Sequence, residues 1–250
     1  MKNPQENPDP PPVFAKNPQE IKIAGFQKNS FIDYPGKIAA VVFTGGCNLR
    51  CYYCHNFGIL KSDANVKNFD EILDELKEQV GDIDAVVISG GEPTLHPHLK
   101  EIIAKIRALG FLIKLDTNGS NPGLLRELVD GGSVDYVAID VKCSFDNENI
   151  VKGIECLGGR ILQSINFLKS QTKVDYMFRT TLAPALDIED MKAIAKMITG
   201  AKTYQMQQFV PNENSEKSCF AGLKLFTPEQ VAEFAEIFKP HVGEVLIRGF

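Results

Sequence analysis

Two hydrophobic periods alternate along this chain. From residue 38 onward, short apolar runs predict strands at residues 38–44, 84–89, 111–117, 134–141, 173–182, 203–210 and 244–247. Between them the spacing changes to a helical one. Phe69, Ile72, Leu73, Leu76 and Val80 share one helical face, as do Leu99, Ile102, Ile103, Ile106 and Leu109. Helix starts are marked by Asn68 with Glu71 three residues on, by Asp187 with Asp190, and by Thr227 ahead of Pro228 and Gln230. Such β-α units joined by right-handed crossovers give an α/β fold, a mainly parallel sheet covered by helices. The pattern leaves two arrangements open: a doubly wound sheet, and a curved or partly closed barrel.

Residues 1–20 have neither period. They are rich in proline, asparagine and glutamine and contain KNPQE twice, at positions 2–6 and 16–20. Such a segment buries too little apolar area to offset its ordering entropy, so it is expected to be a mobile tail ahead of one domain spanning 21–250. The whole chain of 250 residues is long enough to build a core without disulfide staples.

Charge narrows the field of partners. Asp and Glu outnumber Lys and Arg by 32 to 27, and no basic cluster longer than two residues occurs, so nucleic acid is not an expected ligand. The apolar run at 38–43 is far short of the ~20 residues that span a bilayer, and no signal-peptide pattern opens the chain. A cytoplasmic protein without membrane contact is expected. In that reducing compartment, clustered cysteines more often ligate metal than form disulfides.

Chemistry gathers at the ends of the predicted strands. Cys47 follows the first, Gly90-Gly91-Glu92 the second, Asp116-Thr117-Asn118-Gly119 closes the third, and Asp140-Val141-Lys142 closes the fourth. Barrel and open α/β enzymes place their sites at the carboxyl ends of their strands. Each of these stretches also has a plainer reading, Gly-Gly as a strand-to-helix turn and the aspartates as caps. Arg179 lies inside a β run, where it needs an anionic partner.

Cys47-x3-Cys51-x2-Cys54 is the most specific signal. Three soft thiolates from one loop select zinc or an iron-sulfur cluster over hard cations. A structural zinc site fills four positions, and His55, adjacent to Cys54, is poorly placed to turn back to the same metal. Three ligands leave one iron of a four-iron cluster open to a non-protein ligand, which points to chemistry at the cluster. Cys143, Cys156 and Cys219 could each supply a distant fourth ligand, and their isolated spacings suit ordinary half-buried thiols. Cys143 stands out because it directly follows Asp140-Val141-Lys142.

CxxxCxxC with the aromatic Tyr53 before the third cysteine resembles the signature of the radical S-adenosylmethionine (SAM) superfamily. Asp33-Tyr34-Pro35-Gly36, Phe43-Thr44-Gly45-Gly46-Cys47 and Tyr53-Cys54-His55-Asn56 resemble the glycyl-radical-enzyme activases, most of all the activating proteins of anaerobic ribonucleoside-triphosphate reductase. That resemblance spans residues 21–250 and implies a partial (β/α)6 barrel. It implies a [4Fe-4S] cluster on Cys47, Cys51 and Cys54, beside Tyr53, His55 and Asn56. It implies SAM bound by its amino group at Gly90, Gly91 and Glu92, and further held by Asp116, Thr117, Asn118, Asp140, Lys142 and Arg179. In some members a monovalent cation sits near the SAM carboxylate. The implied reaction is reductive cleavage of SAM to a 5'-deoxyadenosyl radical, which takes hydrogen from a glycine of a partner glycyl radical enzyme. Flavodoxin or ferredoxin would supply the electron. Where pyruvate formate-lyase activases have a histidine on the sixth strand, this chain has Gln207-Gln208, leaving that contact unassigned. Two other functions remain compatible with the residues: a radical SAM enzyme acting on a small molecule, such as a deazapurine synthase, and a non-enzymatic zinc or electron-transfer protein.

Overall fold

The structure is a computed structural model that describes residues 22–60, 67–145, 147, 150–211, 222 and 224–249. The tail read at 1–20, and Cys219, lie outside the described residues.

All seven predicted strands form: β3 (Ala39–Thr44), β6 (Ala85–Gly90), β7 (Leu112–Thr117), β8 (Tyr136–Asp140), β10 (Asp175–Leu182), β11 (Ala201–Gln208) and β12 (Val242–Arg248). Six helices connect them in turn: α2 (Phe69–Glu78), α3 (Leu99–Arg107), α4 (Pro122–Asp130), α5 (Ile154–Lys169), α6 (Ile188–Met197) and α7 (Pro228–Phe238). The cap signals hold. Asn68 accepts from the Asp70 amide, and capping boxes close at Asp187 with Asp190 and at Thr227 with Gln230.

Strand order decides between the two arrangements. With the edge strand β2 (Gly25–Ser30), the sheet runs β2-β3-β6-β7-β8-β10-β11-β12, with every neighbouring pair from β3 to β12 parallel. A doubly wound sheet reverses its order at a switch point. Here the order advances in one direction, so crossovers of one hand place every helix on the same side and the sheet curls about its other face. The result is six β-α units with a seventh parallel strand, a barrel left open between its edges.

The two faces differ accordingly. On the outer face Ala40, Val42, Val86, Ile88, Ile113 and Leu115 pack with Ile72, Leu76, Ile102, Ile106, Leu125 and Ile165 of the helices. Tyr204 of β11 stacks on Phe238 of α7 at 4.0 Å between ring centres. The inner face carries a small second cluster, Tyr34, Ala39, Val41, Ala85 and Val87, at the amino ends of the strands. Small side chains there admit the segment 31–37, whose Tyr34 ring meets Tyr136 at 5.6 Å.

The antiparallel edge strand β2 (Gly25–Ser30) has no counterpart in the predicted pattern. Its GFQKNS sequence is largely solvated and forms by pairing with β3 rather than by burying an alternating face. Segment 31–37 joins the two edges of the open barrel. It leaves β2, and its Ile32 carbonyl accepts from Arg248 Nη1 of β12 at 2.8 Å.

Candidate functional site: a thiol-lined cleft at the strand ends

The loop that leaves β3 carries the cysteines, and backbone contacts fix its start. The amides of Gly91 and Glu92 donate to the carbonyls of Thr44 (2.9 Å) and Gly46 (2.8 Å). This approach accounts for the two glycines. A Cβ on Gly91 would fall 1.9 Å from the Gly46 carbonyl oxygen, and one on Gly90, whose φ is +119°, would fall 2.3 Å from that of Thr44. The close neighbour that excludes side chains is therefore the cysteine loop itself. Further along, β4 (Arg50–Cys51) pairs with β9 (Val151–Lys152), which sews the loop to the chain after β8. Arg50 Nη1 donates to the Cys47 carbonyl at 2.6 Å, and Asn56 Nδ2 to the Gly90 carbonyl at 2.8 Å.

All three thiols line one cleft of about 490 Å³, together with Tyr53, His55, Asn56, Gly90, Gly91, Asp116, Thr117, Asn118, Asp140, Lys142 and Arg179. Of the site residues expected from the sequence, only Glu92 is not in its wall. Phe209 braces the loop from β11's end, meeting the rings of Tyr53 at 6.3 Å and His55 at 5.9 Å edge-on. Asn118 Nδ2 donates to Asn48 Oδ1 (2.9 Å) and reaches Cys47 Sγ at 3.9 Å, while Asn48 Nδ2 donates to Ser120 Oγ at 2.8 Å.

Burial pushes the Cys47 thiol up to about 11 and that of Cys51 to about 12, and raises Cys54 as well; Lys142 offsets part of each shift. Three half-buried sulfur donors thus face the cleft, where a metal centre would favour their thiolate forms. Among the described residues no three His, Cys, Asp or Glu side chains converge as the ligands of a single metal ion do. The thiols line the wall of one cleft, and the soft three-sulfur donor set suits iron.

Across the cleft the strand ends carry a chain of alternating charges. Lys114 Nζ lies 2.8 Å from Asp116 Oδ1, and Asp116 Oδ2 lies 3.2 Å from Arg179 Nη2. Arg179 Nε lies 2.6 Å from Asp140 Oδ1, and Asp140 Oδ2 lies 3.4 Å from Lys142 Nζ. Burial alone would raise the Asp140 carboxyl, yet Arg179 and Lys142 hold it well below the usual carboxylate range. The same two carboxylates overcome burial at Arg179 and hold its guanidinium above its ordinary value. Parallel register makes this possible, since Arg179 pairs with Asp140 and Asp116 with Ala138.

Glu92 is fully buried behind the wall. One carboxylate oxygen accepts from the Thr94 amide (3.1 Å), Thr94 Oγ1 (2.5 Å) and Thr117 Oγ1 (2.6 Å), and the other from the Asn118 amide (2.6 Å). It is a strut beneath Thr117 and Asn118. Cys143 is buried, directs its sulfur to the Asn147 carbonyl at 3.6 Å and is not in the cleft wall; Cys156 is exposed on α5. Sequence reasoning passed over Lys114, Thr181 and Arg248. Lys114 had a signal, a charge two residues before Asp116 in the apolar run FLIKLDT. Gln207 lines the cleft and donates to Thr181 Oγ1 at 2.7 Å.

A part-open parallel barrel with a three-thiol loop facing charged strand ends defines a class of iron-sulfur enzyme. Comparison with known proteins is specific. The radical SAM superfamily profile matches residues 41–198. A protein of Methanocaldococcus jannaschii, named as a candidate glycyl-radical enzyme activating enzyme, is 37% identical over 232 residues, 90% of this chain and 95% of its own. The pyruvate formate-lyase-activating enzyme of Staphylococcus epidermidis is 27% identical over 194 residues, 72% of this chain and 76% of its own. Among solved structures, Streptococcus suis SuiB bound to its precursor peptide superposes with a TM-score of 0.62 over 84% of this chain and 48% of SuiB; at 13% identity that likeness carries the fold. The chain belongs to the radical SAM superfamily and, within it, to the glycyl-radical-enzyme activating enzymes, whose cofactors are a [4Fe-4S] cluster and SAM.

Proposed function

We propose that Cys47, Cys51 and Cys54 hold the [4Fe-4S] cluster, that SAM lies between it and the charged rim, and that the enzyme takes a hydrogen atom from a backbone glycine of anaerobic ribonucleotide reductase. The observation that carries this reading is the meeting of two chemistries in one cleft, three thiols from one loop and an alternating-charge rim from three neighbouring strands. When bound, the cluster and SAM together supply a one-electron cleavage and the radical that follows from it. The chain's own work is to position and to exclude water. Lys142 and Arg179 present cations to a carboxylate, Thr117 and Asn118 are fixed from below by Glu92, and Phe209 with Tyr53 closes the loop side.

A protein substrate is supported by segment 31–37. Asp33 lines the cleft, and its carboxylate accepts from Ser30 Oγ at 2.5 Å. Phe31 and Ile32 beside it are 74% and 63% exposed, an apolar pair held at the open edge of the barrel. We read residues 21–250 as one domain on the strength of the eight-stranded sheet that its described residues share. No described helix is long and apolar enough to cross a membrane, and a cytoplasmic enzyme fed by flavodoxin or ferredoxin fits the same reading.

The test is anaerobic incubation of cluster-loaded enzyme, SAM and reductant with anaerobic ribonucleotide reductase, followed by electron paramagnetic resonance of the partner. A glycine-centred doublet is expected. Asp33→Ala should keep cluster and SAM binding yet lose radical transfer, since the defect lies in docking. Silence of the partner alongside brisk turnover of a small molecule would replace this reading with the small-molecule one.

A further inference from the structure

The monovalent cation implied by the resemblance does not fit the rim. Both carboxylates that would hold it already face side-chain cations, and the one buried oxygen among them that takes no hydrogen bond, Asp116 Oδ1, lies against the Lys114 ammonium. The two oxygens of Asp116 face Lys114 and Arg179, and the two of Asp140 face Arg179 and Lys142. Three side-chain cations stand against two carboxylates, and the carboxylate of SAM brings the two signs level without an added alkali-metal ion.

Lys114 has the unusual position. Its side chain is 2% exposed, inside the barrel beneath Asp116, and it does not line the cleft. Its ammonium donates to the Asp33 carbonyl at 2.5 Å, contacts Asp116 Oδ1 at 2.8 Å and lies 6.0 Å from the centre of the Tyr136 ring. A buried lysine persists only where oxygen ligands replace its water. An ammonium held between two oxygens, with an aromatic face nearby, is chemically close to a desolvated potassium ion.

We propose that Lys114 is a positioning residue that takes the place of an alkali-metal ion: it clamps Asp116 from within the barrel, so that this enzyme binds SAM without any monovalent cation. The inference rests on the reading of the rim as the SAM site. It follows that the charge of Lys114, rather than its bulk, sets the geometry of Asp116. An apolar side chain of similar length would leave Asp116 Oδ1 buried with a gap that a potassium ion can enter.

The experiment is SAM titration of cluster-loaded enzyme under anaerobic conditions, at constant ionic strength in potassium, sodium or choline chloride. The parent should bind SAM equally, within about twofold, in all three salts. Lys114→Met should bind roughly ten- to a hundredfold more weakly in choline, as for one lost charge-assisted contact, and regain most of that loss in potassium. A purely structural role would not produce recovery by potassium. The inference is overturned if the parent loses tenfold or more in choline, if Lys114→Met matches the parent in choline, or if its loss is the same in every salt. Should Lys114→Met fail to fold, the salt series of the parent still decides. A parent that binds no SAM in any salt overturns the rim assignment and this inference with it, whereas SAM binding that requires potassium overturns this inference alone.

Discussion

The cysteine loop and the strand-end rim face each other across one cleft, and they are held in opposite ways. On the rim each charge meets its counter-charge within 3.4 Å along the chain from Lys114 to Lys142. Such a network offsets the desolvation of its own members. In the loop the order is in the backbone, through the contacts at Gly46, the β4·β9 ladder and the Arg50 bond, while the thiols are half-buried and pushed toward their protonated forms. One wall is built in advance of its ligand; the other presents donors that a metal completes. The difference implies that iron loading and SAM binding are separable properties, governed by different residues.

The strongest way to break that separation is to damage the loop. Cys47→Ala, Cys51→Ala or Cys54→Ala should abolish the cluster absorbance and SAM cleavage, since two thiolates anchor a four-iron cluster poorly. Iron and sulfide analysis after anaerobic reconstitution measures it, with circular dichroism to show that the fold is kept. Full cluster content in any of the three would mean that the ligands are elsewhere.

Damage to the rim should give the complementary phenotype at a smaller magnitude. Among the described residues Arg179 is the one side chain that pairs with both Asp116 and Asp140, so Arg179→Ala strips a cation from each. Iron content should match the parent. SAM affinity should fall about ten- to a hundredfold, the equivalent of roughly 1.5–3 kcal/mol for a lost charge-assisted contact. An SAM titration superimposable on the parent's would remove the rim from the binding site, and a parallel loss of iron would show that the two walls are not separable after all.

The same division governs what could be read from the sequence. Six of the seven parallel strands were legible because each buries an apolar face beneath helices whose own apolar stripes are plain; β12, partly exposed along its length, was legible only from its short apolar run. Their order was not, since nothing local distinguishes a sheet that reverses from one that advances and curls. β2 and the short β4·β9 ladder escaped because their residues carry no alternation and form through partners distant in the chain. At the site, residue types betrayed the cysteines and the strand-end aspartates. Direction did not follow from type: Glu92 points away from the cleft into four hydrogen bonds, and Gly90 and Gly91 make room for the cysteine loop. Lys114 reads as a solvated lysine until the curl of the barrel places its face inside.

The smallest expected effect concerns the cysteines outside the loop, and it sharpens the comparison because it tests whether three thiols suffice. Cys143 follows the Asp140-Val141-Lys142 rim segment and is buried, so by sequence it is the best candidate for a fourth ligand. Its sulfur is directed to the Asn147 carbonyl, and the segment it belongs to is tied down elsewhere: Asp190 of α6 accepts from the Ser144 amide at 3.1 Å and from Asn147 Nδ2 at 2.7 Å. Moving Cys143 into the cleft would break those bonds and leave Asp190, which is 3% exposed, with fewer donors. Cys143→Ser keeps a donor for Asn147 in nearly the same volume, so it should cost on the order of 1 kcal/mol or less in stability and nothing in iron. Cys156→Ser, at an exposed position on α5, should be neutral in both. Iron stoichiometry of the reconstituted variants, set beside their thermal unfolding midpoints, is the measurement. A folded Cys143→Ser enzyme that loses iron would mean that a fourth thiolate closes the cluster, and the open iron on which SAM chemistry depends would not exist.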